Sequence, residues 1–173
     1  MKTLTANDVK RLIAALRVTD LQAKAFIDLA YHSALRPQEL CDLKWEDVQA
    51  DRVHVRCGKG GRARTVALVQ DYGYLSAWRE KCGGTGHVFR TSKGKAWQTS
   101  HVRRLFTRLS EKTGLDAHPH GMRHAAALAI WNVTKDLGAV SRQLGHKRLA
   151  TTDVYLAGRG ANEELNLVAA LSF

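Results

Sequence analysis

The chain has 173 residues, 45% of them hydrophobic, enough to enclose a core and too apolar for a disordered tail. Lys and Arg total 27 against 16 acids, a formal charge of +11, and such an excess makes an anion, nucleic acid first, the expected partner. No apolar run approaches the roughly 18 to 20 residues of a membrane span, and no apolar signal stretch opens the chain. Cys41, Cys57 and Cys82 are too few and too scattered for a disulfide framework or a cysteine zinc site. A soluble cytoplasmic protein with reduced thiols and no membrane partner is expected.

Taken in order, Thr5 followed by Asp8 reads as a capping box, and Val9, Leu12, Ile13 and Leu16 then recur at helical spacing. Asp20 suits the cap of a second helix, through about Ala34, carrying Leu21, Phe26, Leu29 and Ala30. Pro37 fits the first turn of a short third helix, which sets Arg36 at a helix entrance with Glu39 one turn on to hold its guanidinium. From Arg52 the period changes to two: Val53, Val55 and Cys57 alternate with Arg52, His54 and Arg56, Gly58 to Gly61 turn the chain, and Thr65 to Leu68 return. This predicts a β-hairpin with a basic tip. Tyr72 to Cys82 is expected to be helical, and His87 to Phe89 to add a short third strand.

From Ser100 helices return, with Val102, Leu105, Phe106 and Leu109 on one face and Arg103, Arg104 and Arg108 on the other. Beyond Pro119, helices are expected at Gly121 to Val133, Asp136 to Leu144, around Thr151 to Leu156, and at Asn162 to Leu171. The predicted fold class is therefore mostly α with a small antiparallel β-sheet (α+β), in a single domain over residues 1–173. Charge is uneven along it. Arg52 to Val66 and His87 to Ser110 carry no acid, whereas Glu39 to Asp51 is mostly acidic, and one basic, phosphate-binding face is expected.

The segment from His118 to His124 places His120 and Arg123 three residues apart at a helix start, where the backbone's partial positive charge favours an anion. Zinc on His118, His120 and His124 is disfavoured, because no carboxylate or Cys stands at ligand spacing and Arg123 would repel the ion. No metal and no cofactor are expected. Downstream, Gly145 is fit to end a helix before His146, and Tyr155 follows beyond one turn of the chain.

The ordered set Ala34-Leu35-Arg36-x-x-Glu39-Leu40, Gly58-Lys59-Gly60, His120-x-x-Arg123-His124, Leu144-Gly145-His146 and Thr151-Thr152-x-x-Tyr155 resembles the catalytic domain of the tyrosine recombinase, or phage integrase, family. The resemblance implies a site-specific recombinase or integrase fold of the DNA breaking-rejoining type, cleaving and rejoining strands through a 3′-phosphotyrosine without metal. Carried over, Arg36, His120, Arg123 and His146 surround the scissile phosphate, Tyr155 is the nucleophile, and Lys59 is the general acid to the leaving 5′ oxygen. Glu39 and His124 support them. Arg62, Arg64, Arg103, Arg104, Arg108, Arg142, Lys147 and Arg148 are the expected DNA contacts. The implied partners are double-stranded DNA and further copies of the chain, dimer to tetramer, in a bacterial, archaeal or phage cytoplasm.

There are departures from the pattern. Met122 stands where Leu is usual, and Ala125 to Ala127 replace a more polar and aromatic stretch. Most members place a helical core-binding domain before the catalytic one, and this chain is expected to lack it, as an excised catalytic domain or a single-domain recombinase. The tail, residues 162–173, is expected to dock on its own domain or on a neighbouring protomer. Two other readings compete with an active recombinase: a non-catalytic DNA-binding relative, opposed by the complete set of catalytic side chains, and a type IB topoisomerase, opposed by the compact spacing from Leu-Gly-His to Tyr.

Overall fold

Thr5 accepts the backbone N–H of Asp8 while the Asp8 carboxylate reaches back to the Thr5 N–H, so the capping box forms and starts α1, Ala6–Ala14. The computed structural model describes residues 4–56, 63–68 and 73–145. After α1 come α2 (Leu21–Ser33), α3 (Pro37–Asp42), a 3-10 turn (Trp45–Asp47), strands β1 (Arg52–Val55) and β2 (Arg64–Ala67), α4 (Tyr74–Cys82), α5 (Thr99–Thr113), α6 (Pro119–Thr134) and α7 (Leu137–Leu144). None of the described helices is long and apolar enough to cross a membrane.

The central element is α2, which packs against α1, α3, α4 and α6 and is accordingly buried nearly all round from Ala25 to Tyr31. Its one carboxylate in that stretch, Asp28, is fully buried. It accepts the N–H of Tyr74 at 3.3 Å, one of the amides left unpaired at the start of α4, and lies 2.9 Å from His32 Nδ1. Around α2 the core is continuous, from Leu12 and Ile13 through Phe26, Trp45 and Phe89 to Phe106, Met122 and Leu144.

The sheet is a two-stranded antiparallel ribbon, with Val53 facing Val66 and Val55 facing Arg64. Val53, Val55 and Val66 point into the core. The third strand expected at His87 to Phe89 does not form. That segment contributes an isolated bridge, Lys44 to His87, flanked by Trp45 N–H to Gly86 O and Val88 N–H to Leu43 O. The chain then bends away as the Phe89 carbonyl takes the Trp97 N–H. The apolar pattern there reflects the burial of Val88 and Phe89, not a ladder. The hairpin turn at Gly58 to Gly61 and the helices expected at Thr151 to Leu156 and Asn162 to Leu171 lie outside the described residues.

Candidate active site

Three chain reversals meet at one point. The first follows α2, which stops at Ala34 in the left-handed conformation (φ 54°), a position costly for a residue with a Cβ. That turn aims the Ala34 carbonyl into the interior, where it accepts Arg123 Nη1 at 2.5 Å. The second is the end of α7 at Gly145 (φ 67°), beside which the Leu144 carbonyl accepts Arg123 Nη2 at 2.6 Å. The third is the entrance to α3, where Arg36 is the N-cap, Pro37 opens the helix, and Glu39 at the third position accepts the Arg36 backbone N–H at 2.8 Å.

Arg123 is only 2% exposed. Its charge is kept by two carbonyl acceptors, yet burial and the neighbouring Arg36 push its pKa down to about 9, with Glu39 opposing the shift.

Glu39 is the one buried carboxylate of the site, and four N–H groups converge on it. Oε1 accepts Arg64 Nη1 at 2.8 Å and Arg36 Nη1 at 3.1 Å; Oε2 accepts Arg64 Nη2 at 2.9 Å and the Arg36 amide. Burial pushes the Glu39 carboxyl up, but the Arg64 hydrogen bonds, the Arg36 amide and the two guanidinium charges outweigh it and hold the group below the usual carboxylate range. Arg64 enters from β2, and the fork it presents to both oxygens leaves its Nε buried and unpaired among the described residues.

His120 lies on the first turn of α6, exposed, with Arg123 one turn further and buried. His124 follows, half-buried. His118 has a role that its spacing did not reveal: as N-cap of α6 its Nδ1 accepts the Gly121 N–H at 3.0 Å. Among the sequence-read candidates, Arg36, Glu39 and Arg123 lie near one another, joined by Arg64. Lys59, Arg62, His146, Lys147, Arg148 and Tyr155 lie outside the described residues.

Among the described residues, the arginines of the hairpin are not free cations. Arg52 pairs with Asp51, Arg56 with Glu46 and Asp47, and Arg64 with Glu39, so acids between Glu39 and Asp51 neutralise these three. Arg142 pairs with Asp136 at 3.2 Å on the surface. On α5, by contrast, Arg103, Arg104 and Arg108 are exposed and enter no ion pair within 4 Å among the described residues. They do not share one stripe: Arg104 and Arg108 line an open groove with Trp78, Trp97 and His101, whereas Arg103 lies outside it.

The model of the phage integrase family matches residues 2–160. The chain belongs to the phage integrase family. Among curated members, tyrosine recombinase XerA of Thermococcus kodakarensis is 32% identical over 164 residues, covering 89% of this chain and 57% of that protein. Tyrosine recombinase XerC of Xanthomonas campestris pv. campestris is 35% identical over 164 residues, covering 89% and 50%. The crystal structure of XerA recombinase superposes with a TM-score of 0.79 at 25% identity over 98% of this chain and 64% of that one. The mostly helical architecture with a small antiparallel sheet is thus the integrase-family fold. The chain spans about half the length of the curated relatives it matches.

Proposed function

We propose that this chain is the catalytic module of a site-specific DNA recombinase, cleaving and rejoining double-stranded DNA through Tyr155. The observation that carries the reading is the bond from Arg123 to the Ala34 carbonyl, 89 positions away, which brings two arginines from separate helix starts near each other beside a buried carboxylate. Two guanidinium groups held this way match the spread negative charge of a phosphodiester in displacement.

In the proposed reaction the Tyr155 oxygen attacks the phosphorus and the bond to the 5′ oxygen breaks, giving a 3′-phosphotyrosine and a free 5′-hydroxyl. The phenol proton passes to His120, whose exposed place on the first turn of α6 leaves it open to substrate. Lys59 protonates the leaving oxygen, His146 donates a hydrogen bond to the phosphate, and Arg36 and Arg123 hold the charge throughout. Religation to another strand reverses these steps and completes recombination. Glu39 orients Arg36, and His124 supports the same helix turn. The reading takes residues 1–173 as one catalytic unit acting as a dimer to tetramer on DNA, with the tail 162–173 docking within or between copies, in the cytoplasm of a bacterium or archaeon or in a phage-infected cell.

A duplex nicked next to the cleavage position traps the adduct, which a denaturing gel resolves. Wild type should form it with or without EDTA, and Tyr155→Phe should bind DNA normally and form none. An adduct in the Phe variant, or cleavage that a divalent ion restores after chelation, refutes the assignment.

A further inference from the structure

The Glu39 carboxylate sits beside the arginine that the proposed reaction needs, and it is an anion of the same kind of charge as the phosphate that arginine is meant to hold. Buried and with its pKa lowered, it is ionised at neutral pH. Left alone with Arg36, it would draw that guanidinium into a two-pronged pair, since arginine and carboxylate match in that geometry. This does not happen. The two-pronged pair is made by Arg64, from the far arm of the hairpin, at 2.8 and 2.9 Å. Arg36 is left with one longer contact at 3.1 Å, and its other guanidinium N–H groups make no hydrogen bond among the described residues. The side chain keeps 27% of its surface exposed, against 16% for Arg64 and 4% for Glu39.

We infer that Arg64 is a positioning residue: as the dedicated counter-ion of Glu39 it occupies the carboxylate's fork and so leaves the Arg36 guanidinium directed to an incoming phosphate. The inference rests on the assignment of Arg36 to the phosphate site. It separates Arg64 from Arg52 and Arg56, whose own side chains are about half exposed where they pair with Asp51, Glu46 and Asp47. It also gives the buried charges a division: one arginine matches the protein's own anion, and two remain for the substrate's.

Gly145 shows how closely this arrangement is fitted. A Cβ there would stand 2.5 Å from Arg64 Nε and 2.8 Å from its Cδ and Cζ. The backbone that leads into His146 therefore packs directly on the guanidinium stem, and Arg64 touches both the carboxylate that orients Arg36 and the turn that precedes the histidine.

The test uses the full chain as wild type, Arg64→Met, Glu39→Gln and the double variant, with folding of each checked by thermal melting. Single-turnover cleavage of the nicked duplex is measured at saturating DNA, DNA affinity separately, and inorganic phosphate binding by calorimetry. Arg64→Met should cleave about 10- to 100-fold more slowly, the range found when a partner that orients an active group is lost, with DNA affinity within about threefold and phosphate binding weakened. The double variant should regain most of the rate and the phosphate affinity, because no carboxylate remains to capture Arg36. An Arg64 that only props up the fold would give no such recovery, and that result overturns the inference. So does a loss confined to DNA affinity, which would make Arg64 a DNA contact. If the phosphate pattern appears but no form of the chain ever cuts DNA, the counter-ion role stands and the recombinase reading falls.

Discussion

Replacing Gly145 by alanine tests the packing at the site's centre, and the structure supplies the magnitude. The residue ends α7 at φ 67°, where a side chain costs about 1 kcal/mol or slightly more. Gly114 ends α5 at φ 70°, and a methyl group added there would meet nothing within 4 Å, so Gly114→Ala should show that backbone cost alone. At Gly145 the added carbon falls 2.5 Å from Arg64 Nε, a distance that forces movement of a side chain whose far end is locked on Glu39. If Arg64 leaves the carboxylate, a buried charge loses its partner, which costs about 3 to 5 kcal/mol. For a chain of this size each kcal/mol lowers Tm by roughly 2 to 4 °C. With the backbone cost added, Gly145→Ala should then melt about 8 to 24 °C below wild type, and Gly114→Ala only about 2 to 4 °C below it. Urea and thermal denaturation of the pair, with Gly145→Ala repeated in an Arg64→Ala background, provide the assay. In that background the extra cost should vanish. Equal losses for the two glycines, or an undiminished cost without Arg64, would refute the contact as the cause.

Two further expectations concern charge. Because the Glu39 pKa is lower in the fold than in the unfolded chain, its ionisation contributes stability above the unfolded value of about 4.3 that is lost as pH falls through the folded value; the gap in urea stability between wild type and Glu39→Gln should be constant near neutrality and shrink in acid, and a gap that grows in acid would contradict the sign. Replacing Arg103, Arg104 and Arg108 by glutamine should flatten the slope of log DNA affinity against log salt by about 0.9 per lost phosphate contact, whereas replacing the paired Arg52 and Arg56 should barely change it; the reverse ranking would show that the hairpin's ion pairs open on DNA.

What was legible in the sequence was local. The Thr5 and Asp8 box and the Pro37 entrance each involve residues within one turn of each other, and each forms, whereas Asp20, expected to cap α2, makes no capping hydrogen bond because its carboxylate pairs with Arg17. The paired valines of the hairpin were equally plain, since alternation reports directly on which side is buried. His87 to Phe89 misled because burial of a short apolar segment does not require a neighbouring strand of matching length. Arg64 could be seen as basic but not as paired, because its carboxylate lies 25 positions away and their meeting depends on how β2 crosses α3. The same limit hid the pairing of Arg56: the acids that neutralise it come from the 3-10 turn before β1. On α5 the helical period sets Arg104 and Arg108 on one stripe and turns Arg103 away from it, but only the fold shows that this stripe borders the groove beside Trp78 and Trp97.

Arg123 ties a carbonyl made 89 positions earlier in the chain to one made 21 positions later. During synthesis, therefore, the two-carbonyl seat of this guanidinium is complete only once α7 has left the ribosome and folded back. A nascent or prematurely ended chain that stops short of α7 leaves the Arg123 guanidinium with one of its two carbonyl acceptors missing.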